Sequence, residues 1–380
     1  MRIGMITGEY PPLQGGVGAY SRILAGEIAA QGHDVFVLSR AGTTSADPAV
    51  RLTAMIDRWN AASLLTIRRW AHVNRLDVVN LQYQTAAYDM SPFIHFLPDV
   101  LRSIPVVTTF HDLRYPYLFP KAGRLRDWVV MHLARASNGA ISTNHEDAAR
   151  LRDLPCAAMI PIGSNILPAL PADYTPETWR ERAGAQPNDF LIVYFGLINS
   201  SKGFEPLLHS LASLRAEGIS ARLLIIGSTG SSDPTNAAYT ATIDALIARL
   251  DLDAYIQRTG YIDDEAVGAY LSAADAVALP FLDGASYRRG SLMAAIRYGC
   301  PTVTTTPQVS IPTFKDGDNL LLVAPNSVPA LTNALRRLHE SPDLRDRLRR
   351  GAAELARHFD WTHIARETID FFARVTGANA

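Results

Sequence analysis

The sequence predicts an α/β protein made of two open parallel sheets, and three observations carry that expectation. Short β-branched or apolar runs alternate with amphipathic helical stretches along the chain, the pattern of parallel strands joined by crossover helices. The rhythm breaks at a proline-rich stretch, residues 166–189, and then restarts. Finally, 380 residues make about two domains at roughly 100–200 residues each, and 48 % hydrophobic residues are enough for two large cores.

The elements follow in order. Arg2 to Ile6 reads as a first strand, Tyr20 to Gln31 as a helix with Ile23, Leu24 and Ile28 on its apolar face and Gly32 behind it, and Asp34 to Ser39 as the next strand. Val78 to Leu81, Val106 to Phe110, Ala140 to Ser142 and Ala158 to Ile160 continue the sheet, which ends near Pro161. After the proline-rich stretch, strands are expected at Phe190 to Phe195, Ala221 to Ile226, Ile256 to Thr259, Ala276 to Leu279, Thr302 to Thr305 and Asn319 to Val323. Helices are expected at Phe204 to Glu217 and Asn236 to Leu250, and Trp361 to Val375 forms a closing amphipathic helix. The expected domains are therefore 1–165, a linker over 166–189, and 190–360, with 361–380 as a terminal helix. No sequence repeat accompanies this repeated architecture.

Composition excludes several classes of function. The 36 Lys+Arg balance 37 Asp+Glu, so the chain lacks the overall positive field of a nucleic-acid binder. Cys156 and Cys300 make no disulfide framework and stand in no metal-ligand spacing, which suits a reducing, cytoplasmic setting. The opening residues lack the apolar core of an export signal, and no run approaches the length of a membrane span. None of the ten histidines falls in an HExxH or other metal spacing.

Ligands of open α/β sheets bind beyond the carboxyl ends of the strands, so the strand-following loops are the candidates for chemistry. The first runs from Gly8 to Tyr20 and places Gly15, Gly16 and Gly18 at a helix start, where a phosphate or sugar can approach the backbone; a plain tight turn is the other reading. The second puts His111 and Asp112 just past a strand, either to meet substrate or as a satisfied structural histidine. The third, Gly196 to Gly203, carries Asn199 and Lys202, one of only three lysines in the chain, at a helix start that favours a diphosphate. A solvated surface lysine is its alternative. The fourth runs from Pro280 through Asp283 to Arg288, Arg289, Gly290 and Ser291, where two arginines precede a helix and signal an anion site. Together they point to one phosphate-bearing ligand held between two domains.

These residues resemble the family-4 glycosyltransferases of the GT-B fold. The likeness rests on GEYPPLQGGVGAY, FHDL, MIPIGSNI, FGLINSSKG, TGYIDDEAVGAYLSAADAVALP and GCPTVTT, and on Trp361 opening a helix that crosses back onto the first domain. The resemblance implies retaining transfer of a sugar from a nucleoside-diphosphate donor to a saccharide, lipid-linked or small-molecule acceptor, with no metal ion or other cofactor. It implies that Gly16 offers its N–H to the diphosphate, that Lys202 neutralises the leaving group, and that the backbone near Tyr261 and Ile262 meets the base. His111 then hydrogen-bonds the transferring sugar, and in a loop open to ligand its truncation is expected to spare the melting temperature.

The chain also departs from the family pattern. Leu197 stands where an arginine is usual, and from Glu265 to Glu340 there is no glutamate between, so the usual pair eight apart is missing. Counting back from Gly299 places that pair at Ser286 and Ala294. Asp283 is the one carboxylate of the fourth loop, and Arg288 or Arg289 is expected to replace the lost cation. A nucleotide-sugar binder without turnover is the rival reading. A metal-dependent GT-A enzyme would need an Asp-x-Asp pair, and Asp251/Asp253 and Asp316/Asp318 read as turns. Arg114 to Trp128 mixes aromatic and basic side chains, including Lys121, and reads as an acceptor-side loop in preference to a contact with anionic lipid at the inner face of the membrane.

Overall fold

The protein is described by a computed structural model covering residues 1–13, 15–114, 123–227 and 234–377, with backbone alone for 234–237. It divides into two compact units, Met1–Asn165 with Phe359–Ala380, and Ile166–His358.

The first unit holds β1 (Arg2–Thr7), β2 (Asp34–Arg40), β3 (Val50–Ile56), β4 (Val78–Tyr83), β5 (Val106–Phe110), β6 (Gly139–Ser142) and β7 (Ala157–Met159). All pair in parallel in the order β3-β2-β1-β4-β5-β6-β7, with Ile3 opposite both Val35 and Val78. Every residue of β4 and β5 is buried, as expected of strands covered by helices on both faces. One core holds Leu81, Phe110, Trp59 and Tyr88; the other holds Ile3, Ile28, Val107, Phe371 and Phe372.

Strand β3 and the helix Ala61–Val73 carry no clear sequence signal. The strand is an edge with β2 as its neighbour, exposing Arg51 and Met55, so its apolar pattern is incomplete. The helix opens with a capping box in which Ser63 replaces the usual Glu or Gln, its amide bonded to Asn60 Oδ1 at 3.1 Å. Residues 124–128 of the expected basic loop instead open a helix, Arg124–Ala136.

The closing helix, Trp361–Thr376, belongs to the first unit. Trp361 Nε1 donates to Ser164 O at 2.8 Å, and a Cβ on Gly163 would lie 2.6 Å from the Trp361 ring. A Cβ on Gly139 would lie 2.7 Å from Phe371, so bare backbone at these two positions lets the helix seat.

The second unit holds β8 (Phe190–Phe195), β9 (Ala221–Ile226), β10 (Ile256–Gly260), β11 (Ala276–Leu279), β12 (Thr302–Thr305) and β13 (Leu321–Val323), in the order β10-β9-β8-β11-β12-β13, all parallel. Residues 166–189 are not a free linker but part of this unit. Their helix, Pro176–Arg182, buries Trp179 edge-on to Tyr270 at 4.7 Å, and Arg180 pairs with Asp275 at 2.8 Å. The prolines mark turns and a helix start in a docked segment. Among the described residues no helix is long and apolar enough to cross a membrane.

Strand order reverses once in each sheet, between β1 and β4 and between β8 and β11. At such a point the two following loops diverge to opposite faces and leave a crevice, which is where open α/β sheets place ligands.

Candidate functional site

At the β8/β11 switch point of the second unit the loops carrying Lys202 and Arg289 are clasped together. Leu282 N donates to Ser201 O at 3.0 Å, and Gly203, at φ +72°, would drive a Cβ to 2.0 Å from Pro280 O. Only glycine fits there, for both backbone angle and space. Asn199 Oδ1 accepts from Ser201 N at 3.1 Å and from Ser201 Oγ at 2.8 Å, which shapes the short turn ending at Lys202. Its carbonyl oxygen is thus spent on the loop.

Phe281 lies beneath both cations. Lys202 Nζ is 5.2 Å and Arg289 Cζ 4.7 Å from its ring centroid, within cation–π range. Arg289 also forms an ion pair with Asp283, its side chain 17 % exposed while that of Asp283 is 50 % exposed. Burial and the facing Arg289 charge push the Lys202 ammonium down to about 8, against the pull of Asp283. The helix Gly290–Arg297 starts at this point with Arg289 as its N-cap residue, and Ser291 Oγ lies 3.7 Å from where a Cβ of Gly196 would stand. Open space surrounds the corresponding position on Gly290. Burial raises the Tyr194 hydroxyl, opposed by nearby Arg289, and that hydroxyl donates to Leu197 O at 3.2 Å.

Lys202, Asp283, Arg289, Gly290 and Ser291 are therefore brought together. Arg288 is not; its side chain is exposed, and its amide donates to Ser286 Oγ at 3.4 Å. Tyr261, 80 % exposed, and Ile262 follow β10 at the same sheet edge, two strands from β8. Ser286 and Ala294 are buried, and Leu197 is exposed. Sequence reasoning missed Phe281, although an aromatic residue between a strand-ending proline and an acidic turn was a visible signal.

In the first unit, Gly15 and Gly16 differ in role. A Cβ on Gly15 would lie 1.8 Å from Glu9 Oε2, so Gly15 makes room for the Glu9 carboxylate. Nothing stands within 4 Å of the same position on Gly16, whose amide opens the helix Gly16–Ala30. Burial raises the Glu9 carboxyl, opposed by the Gly18 N–H and Arg40.

His111 is not in an open loop. It is 6 % exposed, edge-on to Tyr20 at 4.7 Å, and its Nε2 meets Gln82 Oε1 at 2.9 Å. Gln82 donates its amide to Asn80 Oδ1, and Asn80 Nδ2 donates to Val107 O at 3.1 Å and Thr109 Oγ1 at 3.0 Å. The amide chain makes His111 the Nε2–H donor and leaves Nδ1 as its acceptor edge. Burial pushes the imidazole down to about 3, so it is neutral across physiological pH. The expectation that His111→Ala spares stability is corrected accordingly: truncation empties a buried ring site and strands Gln82 Oε1. We expect a cost of about 1–3 kcal/mol, read as a lower melting temperature in scanning calorimetry; an unchanged transition would contradict this packing. The signal for Gln82 and Asn80 was two polar residues alternating in an otherwise apolar strand.

Residues 115–122, with Lys121, lie outside the described residues. Asp316 Oδ1 accepts from Leu322 N at 2.8 Å, a turn role. No group of three or more His, Cys, Asp or Glu that could hold a metal ion occurs among the described residues.

Comparison with known proteins places the chain by family and fold. The profile of the glycosyl transferases group 1 matches residues 176–355, and that of the glycosyl transferase 4-like domain matches residues 15–162. A D-inositol 3-phosphate glycosyltransferase of Nocardioides is 29 % identical over 52 % of this chain, and the match spans 44 % of that relative's length. A phosphatidyl-myo-inositol mannosyltransferase of Propionibacterium freudenreichii is 27 % identical over 100 % of this chain and 96 % of its own. Among solved structures, Anabaena HepE in complex with UDP superposes with a TM-score of 0.78 at 17 % identity, over 98 % of this chain and 100 % of that one; HepE has also been solved with UDP-glucose. Two profiles covering both units, a relative aligned end to end and a shared doubly sheeted architecture lead to one placement: the chain belongs to the family-4 glycosyltransferases of the GT-B fold.

Proposed function

We propose that this glycosyltransferase takes a nucleoside-diphosphate sugar as donor and transfers the sugar with retention to a saccharide, lipid-linked or small-molecule acceptor, without a metal ion or other cofactor. The observation that carries the reading is the convergence of Lys202 and Arg289 on Phe281 at the β8/β11 switch point. Two cations beside a helix N-terminus suit a diphosphate. The exposed turn at Tyr261 and Ile262 lies two strand spacings away, about 10 Å, the span a ribose and base need to reach its backbone. HepE, of the same fold, binds UDP and UDP-glucose, which supports a nucleotide here; retention is part of the proposal, taken from the resemblance to the family.

Negative charge grows on the departing diphosphate as the glycosidic bond breaks. Fixed donors aimed at that charge stabilise the transition state more than the bound donor. Lys202 and Arg289 supply them in the second unit. His111, neutral and with Nε2–H held by Gln82, meets a sugar hydroxyl through Nδ1 as an acceptor.

The test is release of free nucleoside diphosphate from UDP-, GDP- and ADP-sugars with acceptor and EDTA present. A thermal-shift panel first selects the base, since a ligand at a hundred times its dissociation constant adds about 2.7 kcal/mol. Sustained release in EDTA supports the reading. Binding without release would favour the non-catalytic alternative, which the buried, carboxylate-free Ser286 and Ala294 motivate. Release only with added Mg²⁺ or Mn²⁺ would refute metal independence.

A further inference from the structure

Asp283 is the acidic member of the cationic cluster, and its placement differs from that of a residue waiting for a sugar hydroxyl. Its carboxylate pairs with Arg289, the guanidinium tucked over Phe281 and the carboxylate at the solvent side. The backbone around it is pinned. Leu282 N is bonded to Ser201 O, Gly284 N to Phe281 O at 3.3 Å, and Ala285 N to Thr305 O at 3.2 Å. Gly284, at φ +84°, sits so close to the following strand's exit that a Cβ would lie 2.8 Å from Thr306 O. With the loop backbone fixed and the side chain half exposed, rotation about the Asp283 side-chain bonds is the movement that separates the pair.

We propose that Asp283 is an internal placeholder: in the free protein its carboxylate occupies the face of Arg289 that a ligand phosphate takes, and binding exchanges one anion for the other. This rests on reading the cluster as a diphosphate site. The exchange spares Arg289 an unpaired state over an aromatic ring, and holds its guanidinium in the cluster rather than in solvent. It also sets selectivity. A ligand anion must outcompete a tethered carboxylate, so a diphosphate, with more negative charge and more acceptor oxygens, succeeds where a single free carboxylate, equal in fork geometry, does not.

Asp283 affects Lys202 in the opposite sense. Among the described residues, the charged and titratable groups facing Lys202 are Arg289 and Asp283 from the β11 loop, with the Tyr194 hydroxyl of β8 beside Arg289. Arg289 lowers the ammonium and Asp283 raises it, so removing the carboxylate makes Lys202 lose its proton at lower pH. Asp283→Asn therefore has two effects of opposite sign, separable by pH.

The experiment titrates inorganic pyrophosphate into the full chain by calorimetry at pH 6.5 and pH 9, comparing variants at equal pH so that the probe's own protonation cancels. At pH 6.5, below the value of about 8 that Lys202 has in the parent, Asp283→Asn should bind three- to tenfold tighter than the parent. At pH 9 the advantage should vanish or reverse. In an Arg289→Ala background, Asp283→Asn should change affinity less than twofold at pH 6.5. Weaker binding by Asp283→Asn at pH 6.5 would overturn the proposal, as would an advantage that persists without Arg289. If Lys202→Ala leaves pyrophosphate affinity unchanged, the diphosphate reading itself fails; if Lys202→Ala weakens binding while Asp283→Asn does not tighten it, the placeholder alone fails.

Discussion

Lys202→Ala is expected to weaken nucleoside-diphosphate binding by at least tenfold at pH 7, read by calorimetry. A charge-assisted contact to phosphate is worth about 1.5–3 kcal/mol, which is one to two decades of affinity. The pH dependence sharpens the result. With its ammonium near 8, Lys202 is charged at pH 7, and binding should weaken as pH rises through that value. The variant should lack that limb. Stability moves the other way: between pH 8 and 10.5 the unfolded chain holds more protons at this position than the folded one, so Lys202 costs stability below pH 8 and the cost fades toward pH 10.5. Replacing it should therefore leave the neutral-pH melting temperature unchanged or raised. Unchanged nucleotide affinity would remove Lys202 from the site, whereas a lowered melting temperature would show that its packing had been misjudged.

Arg289→Ala should lower transfer roughly 10²-fold, the scale found when one preorganised donor to a developing charge is removed. A diphosphate leaving group without a metal needs more than one lysine, and the family's other cation is Leu197 here. Arg289 is the arginine that the loop turns inward over Phe281, while Arg288 is exposed. The loss should fall mainly on kcat, with EDTA having no effect on either protein. Near-parental turnover in Arg289→Ala, or inactivation of the parent by EDTA, would break the argument that Arg289 takes over for Leu197.

Much of the fold was legible because its periodicity is strong. Val106–Phe110, Phe190–Phe195, Ala221–Ile226, Ala276–Leu279 and Thr302–Thr305 are strands with the bounds their apolar runs suggest. The edge strand Val50–Ile56 was not legible, since a strand with one neighbour needs no continuous apolar run. Residues 166–189 misled because proline marks a turn whether or not the segment is docked, and the docking depends on Trp179 meeting Tyr270, 91 positions later. At the site, loop position exposed Lys202 and Arg289 as candidates, because glycine and helix starts leave local marks. What could not be read was direction: that Arg289 turns in while Arg288 stays out, that Asp283 pairs with an arginine, and that His111 has its Nε2 tied to Gln82 and its ring packed on Tyr20. Those outcomes are set by side chains from separate strands, which no local pattern records.

The first unit is completed by residues that come after the whole second unit in the chain. Phe371 and Phe372 fill the core beside Ile3, Ile28 and Val107, and Trp361 seats against Gly163. A ribosome must therefore deliver residues 166–358 before the first sheet receives its missing helix. Through that interval the nascent chain carries an open apolar face that invites association with other chains. The integrity of the first unit thus depends on a helix that the chain supplies only after the whole second unit.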